Sequence, residues 1–391
     1  MFSGRTPKLH ATNRLTRALA ARAAPPLDLT VTNPTAVGLD LPGGPLGALA
    51  DPRGLRYEPD PKGLLPAREA VAAYYAARGV AADPGRIVLT ASSSEAYGFL
   101  LKLLCDPGDA VLVPAPSYPL LDALAELESV AIHRYPLDAE GGWAFHAAAV
   151  AEEVDRLAAA GTRVGAVVLV SPNNPTGTGA RAEELEVLFS LARRHRFAVI
   201  SDEVFLDFRF PERPGPVPVA AAHADALVFS LGGLSKSAAL PQLKLGWILA
   251  NGPPDLLGDA LSRLEWIADA YLSVGTPVQL ALPELLGWGE TAAAVIRDRV
   301  LANHASLARA FPPGGSAAAG PLPGGWSAIL RVPAVEPEED LVLRLLAAHD
   351  LLVHPGYFFD FPFDGVLVLS LLPRPDDFAE GVARLAGALT R

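Results

Sequence analysis

From about Arg68 to Ala250 the chain alternates helix-forming stretches with short apolar runs rich in β-branched residues, and this rhythm constrains the fold more than any other feature. The runs are Ile87 to Thr90, Ala110 to Val113, Ala166 to Val170, Ala198 to Ile200 and Leu227 to Ser230. Strands separated by helices return to one sheet in parallel, so the pattern predicts an α/β fold with a mostly parallel sheet between helices. In open sheets of this kind ligands collect at the carboxyl ends of the strands. The polar residues just past each run are therefore the site candidates.

After Gly252 the pattern turns helical, and a stretch from Ala292 to Phe311 leads into a Gly/Pro-rich segment, Pro312 to Gly325. A second, smaller domain is expected from there. It holds two strand-like runs, Trp326 to Val332 and Val366 to Leu371, and a final helix, Asp376 to Leu389. Near the other end an Ala/Arg-rich helix is expected over Asn13 to Ala24. The first 27 residues carry no acid, a bias shared with organelle transit peptides; the helix is the preferred reading.

Composition removes several functions. A chain of 391 residues that is 50% hydrophobic can bury a large core. Its net charge of −11 argues against nucleic acid, whose phosphates call for clustered Lys and Arg. Cys105 is the only cysteine, so neither an internal disulfide nor a thiolate metal cluster can form; a reducing cytoplasm is expected, with Cys105 a small core residue. No apolar run approaches the eighteen or so residues that span a bilayer, and the N-terminus lacks a signal core, so neither membrane insertion nor secretion is expected. Eight histidines are scattered without metal-binding spacing, and no catalytic metal is expected.

Four polar signals follow the strands: TASSSEA at Thr90 to Ala96, SPNNPTG at Ser171 to Gly177, SDEVF at Ser201 to Phe205 and SLGGLSK at Ser230 to Lys236. Each has a plain structural reading. Ser92 with Glu95 makes a capping box, Asn-Pro and Thr-Gly make turns, Asp202 suits a helix N-cap, and most lysines are solvated. In order and together, the four resemble the class I/II aminotransferases of pyridoxal-5′-phosphate (PLP) fold type I. The resemblance runs from about Asp28 to the C-terminus. The 28 residues from Asn174 to Asp202 and the 34 from Asp202 to Lys236 are similar to the intervals of aspartate aminotransferase.

That resemblance implies a large PLP-binding domain, residues 46–291, with a seven-stranded sheet, and a small α+β domain from 1–45 plus 292–391. It implies Lys236 as the catalytic residue, holding the cofactor as a Schiff base and later moving a proton. The chemistry needs such an amine, with a carboxylate facing the pyridine nitrogen, a donor at the phenolic oxygen and an anion cradle. Asp202 is implied as the carboxylate and Asn174 as the donor. Ser92, Ser93 and Ser94 at a helix N-terminus, with Ser235 and Lys244, are implied as the phosphate cradle. Tyr118 is implied to stack on the ring. Tyr57 is implied to reach the phosphate of a neighbouring subunit, which means a homodimer with shared sites.

Three positions depart from the family pattern. Phe205 stands where a tyrosine hydroxyl is expected, and Lys244 replaces an arginine. Val368 stands where the arginine that clamps the substrate α-carboxylate is expected. Arg374, Arg331 and Arg14 are possible replacements, Asn33 and Thr35 possible backbone donors, and His354 a possible substrate contact. The leading function is amino-group transfer between an α-amino acid and a 2-oxo acid. A second reading keeps PLP but changes the reaction to β-elimination, decarboxylation or cyclisation, which a missing clamp permits. A third, a PLP-binding regulator, would call for a basic winged-helix segment before Asp28, and only 27 residues precede it.

Overall fold

The computed structural model describes residues 2–6, 12–41, 43–210, 219–223 and 225–389. Seven strands form the central sheet: β1 (Ile87–Thr90), β2 (Ala110–Ala115), β3 (Ala131–Pro136), β4 (Val164–Val170), β5 (Ala198–Asp202), β6 (Val228–Gly233) and β7 (Gly246–Asn251). Their order across the sheet is β1-β7-β6-β5-β4-β2-β3. β7 runs antiparallel to both neighbours, and the remaining pairs are parallel. Successive residues of each strand point to opposite faces. Val88, Val111, Val168, Ile200, Phe229 and Ile248 accordingly join one apolar cluster, and Leu89, Leu112, Leu169, Val199, Val228 and Trp247 another. Helices cover both faces, which is why the strands read as unbroken apolar runs.

A smaller antiparallel sheet follows, with strands β8 (Ala318–Ala319), β9 (Ser327–Arg331), β10 (His354–Pro355) and β11 (Val366–Ser370) in the order β10-β11-β9-β8. Leu330, Leu367, Leu369 and Leu371 face a core shared with Phe378, Val382 and Leu385 of the last helix, Pro375–Leu389. The segment Leu27–Asp28 pairs in parallel with Leu351–Leu352 and so ties the N-terminal part to this core. Just before it lies the helix Arg14–Ala20, shorter than expected, capped by the Asn13 side chain, which accepts from the Thr16 N–H at 2.7 Å.

One helix, Thr276–Ala310, joins the two parts. Leu282 and Leu285 pack into the large core, while Ala292, Ile296 and Val300 pack into the small one. The division expected at residue 291 therefore falls inside a continuous 35-residue helix. Among the described residues no helix is long and apolar enough to cross a membrane. No group of three or more His, Cys, Asp or Glu among them could hold a metal ion. Cys105 is half-buried, and burial pushes its thiol up to about 12.

Candidate active site

The carboxyl ends of β1, β2, β4, β5 and β6 open on one edge of the sheet, and the antiparallel β7 begins there. A Cβ built on Gly246, the first residue of β7, would lie 3.0 Å from the Gly232 carbonyl oxygen and 3.1 Å from the Ser92 carbonyl carbon. The serine loop, the end of β6 and the start of β7 thus meet backbone to backbone. This is why residues from distant motifs share one edge.

Lys236 sits on a single helical turn, Leu234–Ser237, directly after β6. Ser237 Oγ holds that turn by donating to the Gly233 carbonyl at 2.9 Å. Lys236 Nζ lies 4.9 Å from the centre of the Trp326 ring and 5.5 Å from that of Phe205. Burial lowers the ammonium pKa below the ordinary lysine value, and the Asp202 charge opposes the shift without reversing it. The neutral amine, a nucleophile and a base, is therefore more populated than on a solvated lysine.

Asp202 ends β5 and is buried. Burial raises its pKa, while the Val204 N–H at 3.2 Å, the Tyr97 hydroxyl at 3.0 Å and the Lys236 charge hold it down. Glu203 beside it is buried too. Its Oε1 accepts from Ser201 Oγ at 2.8 Å, Ser230 Oγ at 2.9 Å and the Ala220 N–H at 2.8 Å, while Oε2 has no partner. Burial pushes this carboxyl up to about 7.

Asn174 and its neighbour divide their work. Asn173 is the buried turn anchor, its amide donating to the Pro116 carbonyl and to Thr176 Oγ1, both at 2.9 Å. Asn174 accepts from Ser327 Oγ at 3.1 Å and so links the large sheet to β9 of the small one. Ser92 caps the helix Ser93–Leu104, its hydroxyl accepting from the Glu95 N–H at 3.2 Å. Glu95 Oε2 accepts from the Ala91 N–H at 2.6 Å, so the capping geometry exists at the edge where an anion would dock. Ser93, Ser94 and Ser235 are half-buried beside it.

Phe205 is buried edge-on against Trp326, ring centres 5.3 Å apart, and brings no hydroxyl. Lys244 caps the turn Pro241–Leu243 in the left-handed region and is exposed. Tyr118 is 55% exposed and Tyr57 78% exposed. Asn33 and Thr35 form an exposed turn in which the Thr35 N–H and Oγ1 donate to Asn33 Oδ1 at 3.0 and 2.8 Å. Arg374 is exposed beside Gly38, Arg331 stacks at 4.1 Å over Phe363, and Arg14 pairs with Glu339 and Asp340.

Val368 is 1% exposed in the middle of β11, paired with Ile329 on one side and His354 on the other. It belongs to an apolar cluster with Ile329, Phe359, Phe361 and Val366. His354 is half-buried there, its Nδ1 has no partner, and burial lowers its pKa. Three contributors escaped the sequence reading: Tyr97, Trp326 and Ser327. A tyrosine on an apolar helix face needs a partner for its hydroxyl, and that was the one usable signal.

A large mixed sheet with a half-buried lysine and a buried aspartate at its edge, beside a small second sheet, is the architecture of the fold-type-I PLP enzymes. Residues 34–368 match the family described as Aminotransferase class I and II, and the chain belongs to that family of PLP-dependent aminotransferases. It is 29% identical over 382 residues to the alanine aminotransferase of Mycobacterium tuberculosis, covering 93% of this chain and 85% of that protein. It is 27% identical over 390 residues to the glutamate-pyruvate aminotransferase AlaA of Escherichia coli, covering 93% and 90%. A crystal structure of an Escherichia coli aminotransferase superposes with a TM-score of 0.84 at 25% identity, covering 96% of this chain and 94% of that one.

Proposed function

We propose that Lys236 is the catalytic base of amino-group transfer between an α-amino acid and a 2-oxo acid, and that its amine holds the cofactor. The single observation behind this reading is a buried amine of lowered basicity, beside a buried carboxylate, at the carboxyl edge of the sheet. The donor set fits PLP. Asp202 would face its ring nitrogen, Asn174 its phenolic oxygen, and Ser92, Ser93, Ser94, Ser235 and Lys244 its phosphate, with Tyr118 against the ring. When bound, PLP carries the amino group and withdraws electrons from the substrate Cα.

Each residue's own task follows from its surroundings. Tyr97 and the Val204 N–H favour the charged form of Asp202 and so oppose the rise in its pKa that burial causes. Trp326 and Phe205 keep water from Lys236 Nζ, so the neutral amine persists and can take the proton from the substrate Cα. Ser327 orients the Asn174 amide by donating to its oxygen, which leaves the NH₂ group to act as a donor. Tyr57, exposed in one chain, would complete the site of a second copy in a homodimer. A cytoplasmic location suits a chain with one half-buried cysteine. The names of the relatives make alanine, glutamate and pyruvate the first compounds to try.

The test is borohydride reduction of the yellow protein followed by peptide mapping. The label is expected on Lys236, and Lys236→Ala is expected to lose both the visible band and turnover. A label on another lysine sinks the assignment.

A further inference from the structure

A cavity of about 560 Å³ lies between the end of the helix Leu65–Ala76, the long helix Thr276–Ala310 and the segment that follows β5. Ser237 of the lysine turn forms part of its wall, and so does Gly289 of the long helix. A Cβ built on Gly289 would lie 3.0 Å from the Ser237 carbonyl oxygen and 3.0 Å from Ala238 Cβ, so the helix rests on the backbone of that turn and the cavity borders their joint. Lys236, Asp202, Asn174 and Trp326 are not among its lining residues. The space is therefore distinct from the surroundings of the amine, and its volume is that of a small-molecule site, about 300–1,000 Å³.

Three guanidinium groups line it, and their partners differ. Arg78 is fully engaged: its Nε donates to Asp207 Oδ1 at 2.9 Å, its Nη1 donates to the Tyr74 carbonyl at 2.7 Å, and its Nη2 also meets Asp207 Oδ1. The Tyr74 hydroxyl donates to Asp207 Oδ2 at 2.9 Å, so both oxygens of that carboxylate are taken. Arg297 has only a carbonyl, that of Asp207, 3.1 Å from its Nη1. Arg209 has less, for its Nη1 is buried without any partner. Its guanidinium lies against the bare backbone of Gly179, where a Cβ would find no room, and is fixed in place by it. Glu290 also lines the cavity but is exposed, and among the described residues no carboxylate forms an ion pair with Arg209 or Arg297. Burial pushes the Arg209 guanidinium down to about 10, and the charge of Glu203 opposes the shift. A cation withdrawn from water without a counter-ion is costly, and an anion that enters beside it offsets that cost.

We propose that this cavity is a second binding site, for a small anion that carries a carboxylate or a phosphate group, and that Arg209 and Arg297 hold it. Arg78, already occupied by Asp207, shapes the wall without binding. Leu206, Val219 and Leu286 supply an apolar part of the lining, which suits a ligand with a short carbon chain beside its anionic group. The guanidinium fork matches either headgroup, since both present two oxygens in one plane.

Calorimetric titration of the holoenzyme tests the site, in a buffer free of other multivalent anions, with inorganic phosphate in one arm and butyrate in the other. At least one should bind, and the arm with the tighter binding identifies the headgroup. Arg209→Met, which keeps an unbranched side chain without the charge, should weaken that binding about tenfold or more, the loss expected when a charged donor is removed. Arg297→Gln should weaken it to a similar degree, and it decides alone should Arg209→Met fail to fold. Arg78→Lys, measured alongside, should leave the affinity within about threefold. No binding of either anion to wild type, or affinity unchanged in the Arg209 and Arg297 variants, overturns the proposal; the second result would place the anion elsewhere on the chain.

Discussion

Asp202, Glu203 and Lys236 are charged by habit and buried by the fold, and burial moves each toward its neutral form. Glu203 gives this a measurable consequence. Its folded pKa of about 7 stands above the ordinary 4.5, so the folded state binds its proton more tightly than the unfolded state does. The stability it contributes is whole below pH 4.5 and is lost as the pH rises through about 7, a fall of about 3 kcal/mol at most. Glu203→Gln removes the titration and keeps an acceptor for Ser201, Ser230 and the Ala220 N–H. Urea midpoints of the apo protein from pH 4.5 to 8 should therefore fall less steeply in the variant, and parallel curves would assign the proton elsewhere. Lys236, Asp202 and Asn174 were legible in the sequence because each ends a strand signal. Tyr97 was not, since its hydroxyl meets Asp202 across 105 residues and no local pattern records that meeting.

Five strands of the large sheet announced themselves as apolar runs because both of their faces are covered. β3 did not, for at the sheet edge its residues Ala131, Ile132, His133 and Arg134 are exposed or half-buried and only two of them are apolar. A long helical stretch was expected from about Ala292, whereas the helix already starts at Thr276. Pro277 is tolerated in its first turn, and Gly289 is needed where a Cβ would come within 3.0 Å of Ala238 next to the lysine turn. β11 repays close attention at this scale. Val368 is enclosed by Ile329, Phe359 and Phe361, so a guanidinium placed there meets apolar side chains and no carboxylate among them. Val368→Arg should cost about 3–5 kcal/mol, the scale of an uncompensated buried charge. It should lower the melting temperature and leave carboxylate affinity no better. A variant that melts with the wild type and binds propionate more tightly would mean that this face opens and can host an anion.

One chain leaves apolar surface that a solitary molecule has no use for. Leu55 is 91% exposed, Tyr57 78%, Leu46 57% and Tyr271 51%, and Tyr57 and Leu272 line one crevice. Exposed apolar groups of this kind suit a surface that another protein covers, and on the homodimer reading proposed above that protein is a second copy of the chain. Light scattering should then give twice the 40.9 kDa chain mass, and Leu55→Glu should shift it toward one chain at low concentration. Whether the sites are shared is a separate matter, and two damaged subunits can decide it. Tyr57→Ala should retain PLP weakly, and Lys236→Ala should be inactive. Co-expressed, the two chains pair at random, so about half of the dimers are hybrids, and each hybrid holds one site with Lys236 from one chain and Tyr57 from the other. Cofactor retention and turnover per Lys236-bearing chain should rise above those of Tyr57→Ala alone, to about a quarter of wild-type activity per dimer in the mixture if the bare Tyr57→Ala site contributes little. If Tyr57 serves only its own chain, no hybrid contains an intact site, and mixing gains nothing.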